Sequence, residues 1–175
     1  MNFLMEFLLA FDFVLSKFDA SLFVKKVEGM ILYVLVYVDD IIITGNYQGS
    51  VDAFVKILDS RLSLKDLGEL SYFLSIEVSS TTDELFLSQR KYVLDLLKKA
   101  RMDQAKGSLT PMATSINLSQ HVGSAIENDS EYMSIVGALQ YVVITKPDIT
   151  FSTNKVCRFM HKALDQHFKA IKRIL

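Results

Sequence analysis

One stretch constrains this 175-residue chain more than any other: LVYVDDIIITG, Leu35 to Gly45, where two adjacent aspartates interrupt a nearly continuous apolar run. Met30 to Val38 is apolar on alternate positions of both parities, which predicts a strand covered on both faces. Ile41 to Thr44 is β-branched and follows after two residues, so the two segments fold back as a tight hairpin with Asp39 and Asp40 at its tip. Turns favour aspartate, so one reading of the pair is a turn. The other is a divalent-cation site. Adjacent carboxylates repel each other at the edge of an apolar sheet unless they face water or a cation, and Mg²⁺ takes few carboxylates plus substrate phosphates. Spacing alone leaves both readings open.

The neighbouring elements follow from pattern. Phe3, Leu4, Phe7, Leu8, Phe11, Val14 and Leu15 fall at helical spacing. Glu6 and Asp12 break that stretch and no basic region precedes it, so it reads as a core-packed helix and not as a signal peptide. Ser21 to Val27 is a strand, turned by Glu28-Gly29 into the next. Ser50 to Leu62 carries Val51, Phe54, Val55, Leu58 and Leu62 on one stripe and is a helix. Tyr72 to Val78 and Leu85 to Leu87 read as two further strands. This order gives an antiparallel α+β lobe.

From Ser88 the pattern turns helical. Ser88 is the candidate N-cap of one helix, with Tyr92, Val93, Leu96 and Leu97 on one face. Residues 103 to 128 read as a connector. Asp129 or Ser130 caps the next helix, and the Thr145–Asp148 spacing with Pro147 predicts a capping box for another. The expected division is 1–87 and 88–175.

Composition sets the outer bounds. Half the residues are apolar, enough for a core. The single cysteine, Cys157, rules out an internal disulfide framework and fits a reducing setting. The longest apolar run falls well short of the roughly 20 residues a membrane helix needs. These features predict an intracellular, cytoplasmic protein with no membrane partner.

Five blocks in order carry a resemblance: LVYVDDIIITGN (Leu35 to Asn46), LKDLGELSYFLSIEV (Leu64 to Val78), LSQRKYVLDLLKKARM (Leu87 to Met102), TPM (Thr110 to Met112) and SIVGALQYVVITKPDITFSTNKVCRFMHK (Ser134 to Lys162). Together the chain resembles the copia-type retrotransposon reverse transcriptases, from about Phe11 onward. The resemblance implies an RNA-directed DNA polymerase with a partial palm over 1–87 and a helical thumb over 88–175. It implies Mg²⁺ as cofactor, and a template–primer duplex of RNA and DNA with a dNTP as partners. Asp39 becomes a catalytic, metal-coordinating carboxylate with Asp40 in support, and Tyr37 packs near the primer end. Lys65 lies where the family places a basic group near the incoming nucleotide; a solvated loop lysine is the competing reading. YFLSIEV becomes a primer-gripping hairpin, altered because family members carry Gly where this chain has Ser75. Gly137 and Tyr141, one helical turn apart, match thumb residues that follow the duplex; ordinary helix packing is the alternative.

Relative to that family, the strand with the first catalytic carboxylate and the nucleotide-binding fingers are expected to precede this stretch. The expectation is therefore an incomplete site, inactive alone. Two alternatives stand beside it: a catalytically dead relict that binds duplex only, and an unrelated α+β interaction module. Basic residues favour nucleic acid modestly: Arg90, Lys91, Lys98, Lys99, Arg101 and Lys106, then Lys155, Arg158, Lys162, Lys169, Lys172 and Arg173. A solvated helix face explains them equally. His161 and His167 lack metal-ligand spacing and receive no role.

Overall fold

In the computed structural model the described residues are 2–62, 64–113 and 118–175. Met1, Ser63 and, within the expected connector, residues 114–117 lie outside them. The chain divides into two compact units, residues 1–70 and 71–175, each with its own core.

The first unit opens with helix α1 (Asn2–Ala10), then β1 (Val14–Leu15), β2 (Leu22–Val27), β3 (Met30–Tyr37), β4 (Asp40–Gly45) and α2 (Gln48–Leu62). The strands form an antiparallel sheet in sequence order. Helical spacing carried the first helix to Leu15, but it stops five residues earlier. Asp12 turns left-handed at φ 62°, the Phe13 N–H bonds the Leu8 carbonyl and the Asp12 N–H bonds that of Leu9. That is a Schellman stop, sealed by burial of both Leu8 and Phe13. Lys25 adds its ammonium to the Phe11 carbonyl at 2.8 Å. Phe13 then reaches the core against Phe54, ring centroids 4.9 Å apart.

One face of this sheet carries Phe23, Leu32, Val34, Ile41 and Ile43 into the core with Leu8, Phe54 and Leu58. Tyr33 and Tyr37, on the opposite face of β3, are exposed. The strand expected to be covered on both sides therefore has an asymmetric burial pattern. Tyrosine hydroxyls at alternate positions make that face tolerable in water. The hairpin ends at Gly45 because an added Cβ would stand 2.6 Å from the Ile31 carbonyl oxygen. Asn46 then closes the open end of β3, accepting from the Ile31 N–H and donating to the Gly29 carbonyl, both at 2.8 Å.

The second unit holds a three-stranded antiparallel sheet, β5 (Tyr72–Phe73), β6 (Ile76–Ser80) and β7 (Leu85–Ser88), and helices α3 (Arg90–Lys99), α4 (Asp129–Val142), α5 (Thr150–Cys157) and α6 (Asp165–Ile174). Its core gathers Leu96, Tyr132, Ile135, Val136, Leu139, Val142, Val156 and Ile171. Tyr132 is fully buried and donates its hydroxyl to the Val156 carbonyl at 2.8 Å. Burial pushes its phenol well above the ordinary range.

Several local expectations shift by small steps. Gln89 occupies the N-cap of α3, while Ser88 accepts from the Arg90 N–H at 3.2 Å. Asn128, one residue before the expected cap, holds the Glu131 N–H at 3.0 Å. The Thr145–Asp148 capping box does not form. Pro147–Ile149 is a 3₁₀ turn without a side-chain cap, and Thr145 donates to Gln89 Oε1 at 2.8 Å instead. That partner lies 56 residues back in the chain, which local spacing cannot see.

Candidate metal and nucleic-acid site

The two-residue tip of the β3–β4 hairpin lies one position earlier than the expected Asp39-Asp40. Tyr37 pairs with Asp40, so the two-residue loop is Val38-Asp39, and Asp40 already opens β4. Val38 sits at φ 51°. A positive first loop position is the backbone demand of a type II′ turn. A β-branched residue there is strained, at a cost of about 1–3 kcal/mol. The strain has a geometric result: Asp39 stands at the extreme of the turn, and both carboxylates are exposed. Tyr37 and Asp40 are cross-strand partners and share one sheet face. The expected cluster of Tyr37, Asp39 and Asp40 is thus brought together by one turn.

As oxygen donors, Asp39 and Asp40 suit a hard cation such as Mg²⁺. Among the described residues, however, no group of three or more His, Cys, Asp or Glu side chains is placed to hold a metal ion. The pair fits one wall of a cation site and not a complete one. Lys65 is exposed in the irregular segment after α2, within the same unit.

The other expected site residues lie in the second unit. Gly137 is exposed on α4, with nothing within 4 Å of where a Cβ would stand. Tyr141, one turn later, is half-buried and already engaged. Its hydroxyl donates to the Leu74 carbonyl, and its ring meets Tyr92 edge-on at 5.3 Å and 75°. Burial, then the neighbouring Tyr141, raises the Tyr92 phenol.

Leu74 marks the turn that periodicity missed. Tyr72 to Val78 reads as one strand, yet Leu74 and Ser75 take φ 47° and 62°, and Phe73 pairs with Ile76. Two consecutive left-handed residues make a type I′ hairpin turn, ordinarily a place for Asn-Gly. A left-handed L-residue costs about 1–2 kcal/mol, so Ser75→Gly is expected to stabilise the second unit by about 1 kcal/mol in urea denaturation. A destabilised glycine variant would show that Ser75 gains its place through a contact that offsets the backbone cost. The hairpin foot is fixed separately, Glu77 Oε1 accepting from the Lys91 N–H at 3.2 Å at the start of α3. Alongside runs an open groove of about 360 Å³ lined by Glu77, Arg90, Lys91, Leu94, Asp95 and Lys98.

Sequence reasoning passed over His167, which is fully buried. It accepts from the Leu164 N–H through Nδ1 at 2.9 Å, meets the Ser119 carbonyl through Nε2 at 3.0 Å, and stacks on Phe159. Its position three residues after the N-cap of α6 was the available signal. No helix among the described residues is long and apolar enough to cross a membrane.

Comparison with known proteins gives the family. The family described as "Reverse transcriptase (RNA-dependent DNA polymerase)" matches residues 1–114. Retrovirus-related Pol polyproteins from transposons RE1 and RE2 of Arabidopsis thaliana are 46% and 44% identical over 172 residues, 98% of this chain. The chain spans 12% of the length of each. An uncharacterized mitochondrial protein of the same plant is 41% identical over 145 residues, 82% of this chain and 60% of its own. No solved structure matches.

Proposed function

Since the chain belongs to the reverse transcriptase (RNA-dependent DNA polymerase) family, with relatives among copia-type retrotransposon Pol polyproteins, we propose that it forms the later palm and the thumb of such a polymerase. In this reading residues 1–87 are palm-like and 88–175 thumb-like. The observation that carries it is the strained β3–β4 turn, which presents Asp39 and Asp40 beside Tyr37 within the family-matched region.

Asp39 and Asp40 hold part of a Mg²⁺ site in the assembled polymerase, Asp39 as ligand and Asp40 in support. A divalent cation there would ease deprotonation of a primer 3′-hydroxyl and offset charge on the nucleotide phosphates. Tyr37 packs against the primer end, and Lys65 stands near the nucleotide as a proton donor to the leaving pyrophosphate. Gly137 leaves a bare patch on α4 that lets a duplex approach the helix backbone, with Tyr141 on the same side. The basic side chains of α3 contact phosphates.

In this reading the two carboxylates supply one part of the cation site, and the chain alone retains primed template without adding a nucleotide. The test is a primed RNA template with dNTPs and Mg²⁺, scored for retention and for extension, with Asp39→Asn in parallel. Retention without extension is the expected result. Extension abolished by Asp39→Asn would overturn the incomplete cation site. Failure to retain primed template at low salt would overturn the nucleic-acid reading.

A further inference from the structure

A left-handed turn made of two ordinary L-residues must be held by its surroundings, because the backbone alone favours other conformations. Leu74-Ser75 is such a turn, at φ 47° and 62°. The Tyr141 hydroxyl, from α4, donates to the Leu74 carbonyl within it. The two residues are 67 positions apart, so this is a tertiary tie and not local turn chemistry. Tyr92 of α3 fixes the Tyr141 ring from the side in the edge-on pair. Glu77 anchors the foot of the hairpin to the α3 N-terminus, and Tyr141 reaches its tip.

We infer that Tyr141 is a positioning residue, locking the Leu74-Ser75 turn so that the Tyr72–Ile76 hairpin, with Tyr72 and Leu74 exposed, is presented to nucleic acid in one fixed conformation. The presentation to nucleic acid rests on the polymerase reading above; the lock itself does not. The side chain acts through the Leu74 carbonyl, and its phenol is spent on that bond. Its ring is still required to stand where Tyr92 holds it. The identity of Ser75 explains why a lock is needed, since glycine would adopt the turn at little cost.

The test uses the full chain and three variants: Tyr141→Phe, Ser75→Gly and the double. Phenylalanine keeps the ring pair and removes only the hydroxyl. Amide hydrogen exchange at Phe73 and Ile76 is expected to accelerate about three- to tenfold in Tyr141→Phe, the effect of one lost hydrogen bond. In the Ser75→Gly background the same substitution is expected to change exchange less, since the turn no longer depends on the lock. Affinity for a primed RNA template is measured on the same samples. Unchanged exchange in Tyr141→Phe, or equal acceleration in both backgrounds, would overturn the positioning role. Accelerated exchange with unchanged affinity would keep the lock and overturn its link to nucleic acid.

Discussion

His167→Ala is expected to destabilise the second unit by about 4 kcal/mol, measured by urea denaturation at pH 7.5. The imidazole is fully buried and stacks on the Phe159 ring at a centroid distance of 3.9 Å. Removing an aromatic-sized side chain from a packed site costs about 3 kcal/mol or more through lost contacts and the cavity left behind. The Leu164 N–H loses its partner besides, while the Ser119 carbonyl keeps the Gln166 amide. The orphaned N–H adds about 1 kcal/mol where water cannot enter. The same helix end is tied to the loop before α4 by Asp165 accepting from the Ser124 N–H at 3.0 Å and by Gln166 donating to the Ser119 carbonyl at 2.7 Å. These ties stop the site from collapsing freely, which places the cost at the upper end. A variant within about 1 kcal/mol of the parent would show that the loop repacks over the gap.

The same side chain makes stability depend on pH. Burial lowers its pKa below the ordinary 6.5, against smaller opposing effects from the Ser119 carbonyl and the Asp165 carboxylate. The partners agree with a neutral ring: Nδ1 must accept from Leu164, so the proton resides on Nε2 and points to Ser119. Below about pH 6.5 the unfolded chain takes up a proton that the folded chain still refuses, so the stabilisation present above that pH is lost as pH falls. His167→Phe keeps the stacking volume and removes the titration. Its stability is expected to lose the parent's fall between pH 7 and pH 5.5. A parallel fall in both proteins would assign the effect to other groups.

The elements legible in the sequence are those set by nearest neighbours. The continuous apolar run of Met30 to Val38 and the stripe through Phe54 and Leu58 give strand and helix directly, and the five ordered blocks give the family. What the sequence did not disclose depends on partners far along the chain. Leu74-Ser75 contains none of the residues that announce a left-handed turn, so periodicity runs a strand through it. Asp12 ends α1 because Phe13 must reach Phe54, a contact within the first unit between stretches far apart in the chain, which helical spacing cannot weigh. His167 looked idle for want of a metal spacing, while its two nitrogens serve backbone groups 3 and 48 residues away. Asp39 and Asp40 were legible as a pair; that the turn proper is Val38-Asp39 follows from register, which a one-residue shift would invert.

Binding of a primed RNA template is expected to weaken on the order of a hundredfold between 50 and 200 mM salt, with a log–log slope of about −3.6 for four phosphate contacts. The four cations are those of α3. Arg90, Lys91 and Lys98 line the open groove beside β6, and Lys99, one residue further along the helix, holds only the Ser134 hydroxyl, a neutral partner that a phosphate can replace. Other basic side chains are more committed. Lys169 pairs with Asp165 at 3.2 Å, Arg173 donates to Thr110 at 3.0 Å, and Lys172 and Lys155 lie over the Phe168 and Phe151 rings. Lys98 has Asp95 at 3.8 Å, an exposed pair that a phosphate can displace at small cost. The double variant Arg90→Gln, Lys91→Gln is therefore expected to flatten the slope by about two units, because each lost contact removes roughly one released counterion. It should weaken all sequences alike, since phosphates carry no sequence information. A steep slope that this variant leaves unchanged would move the phosphate track off α3. A slope near zero in the parent would mean that charge does not drive whatever binding occurs.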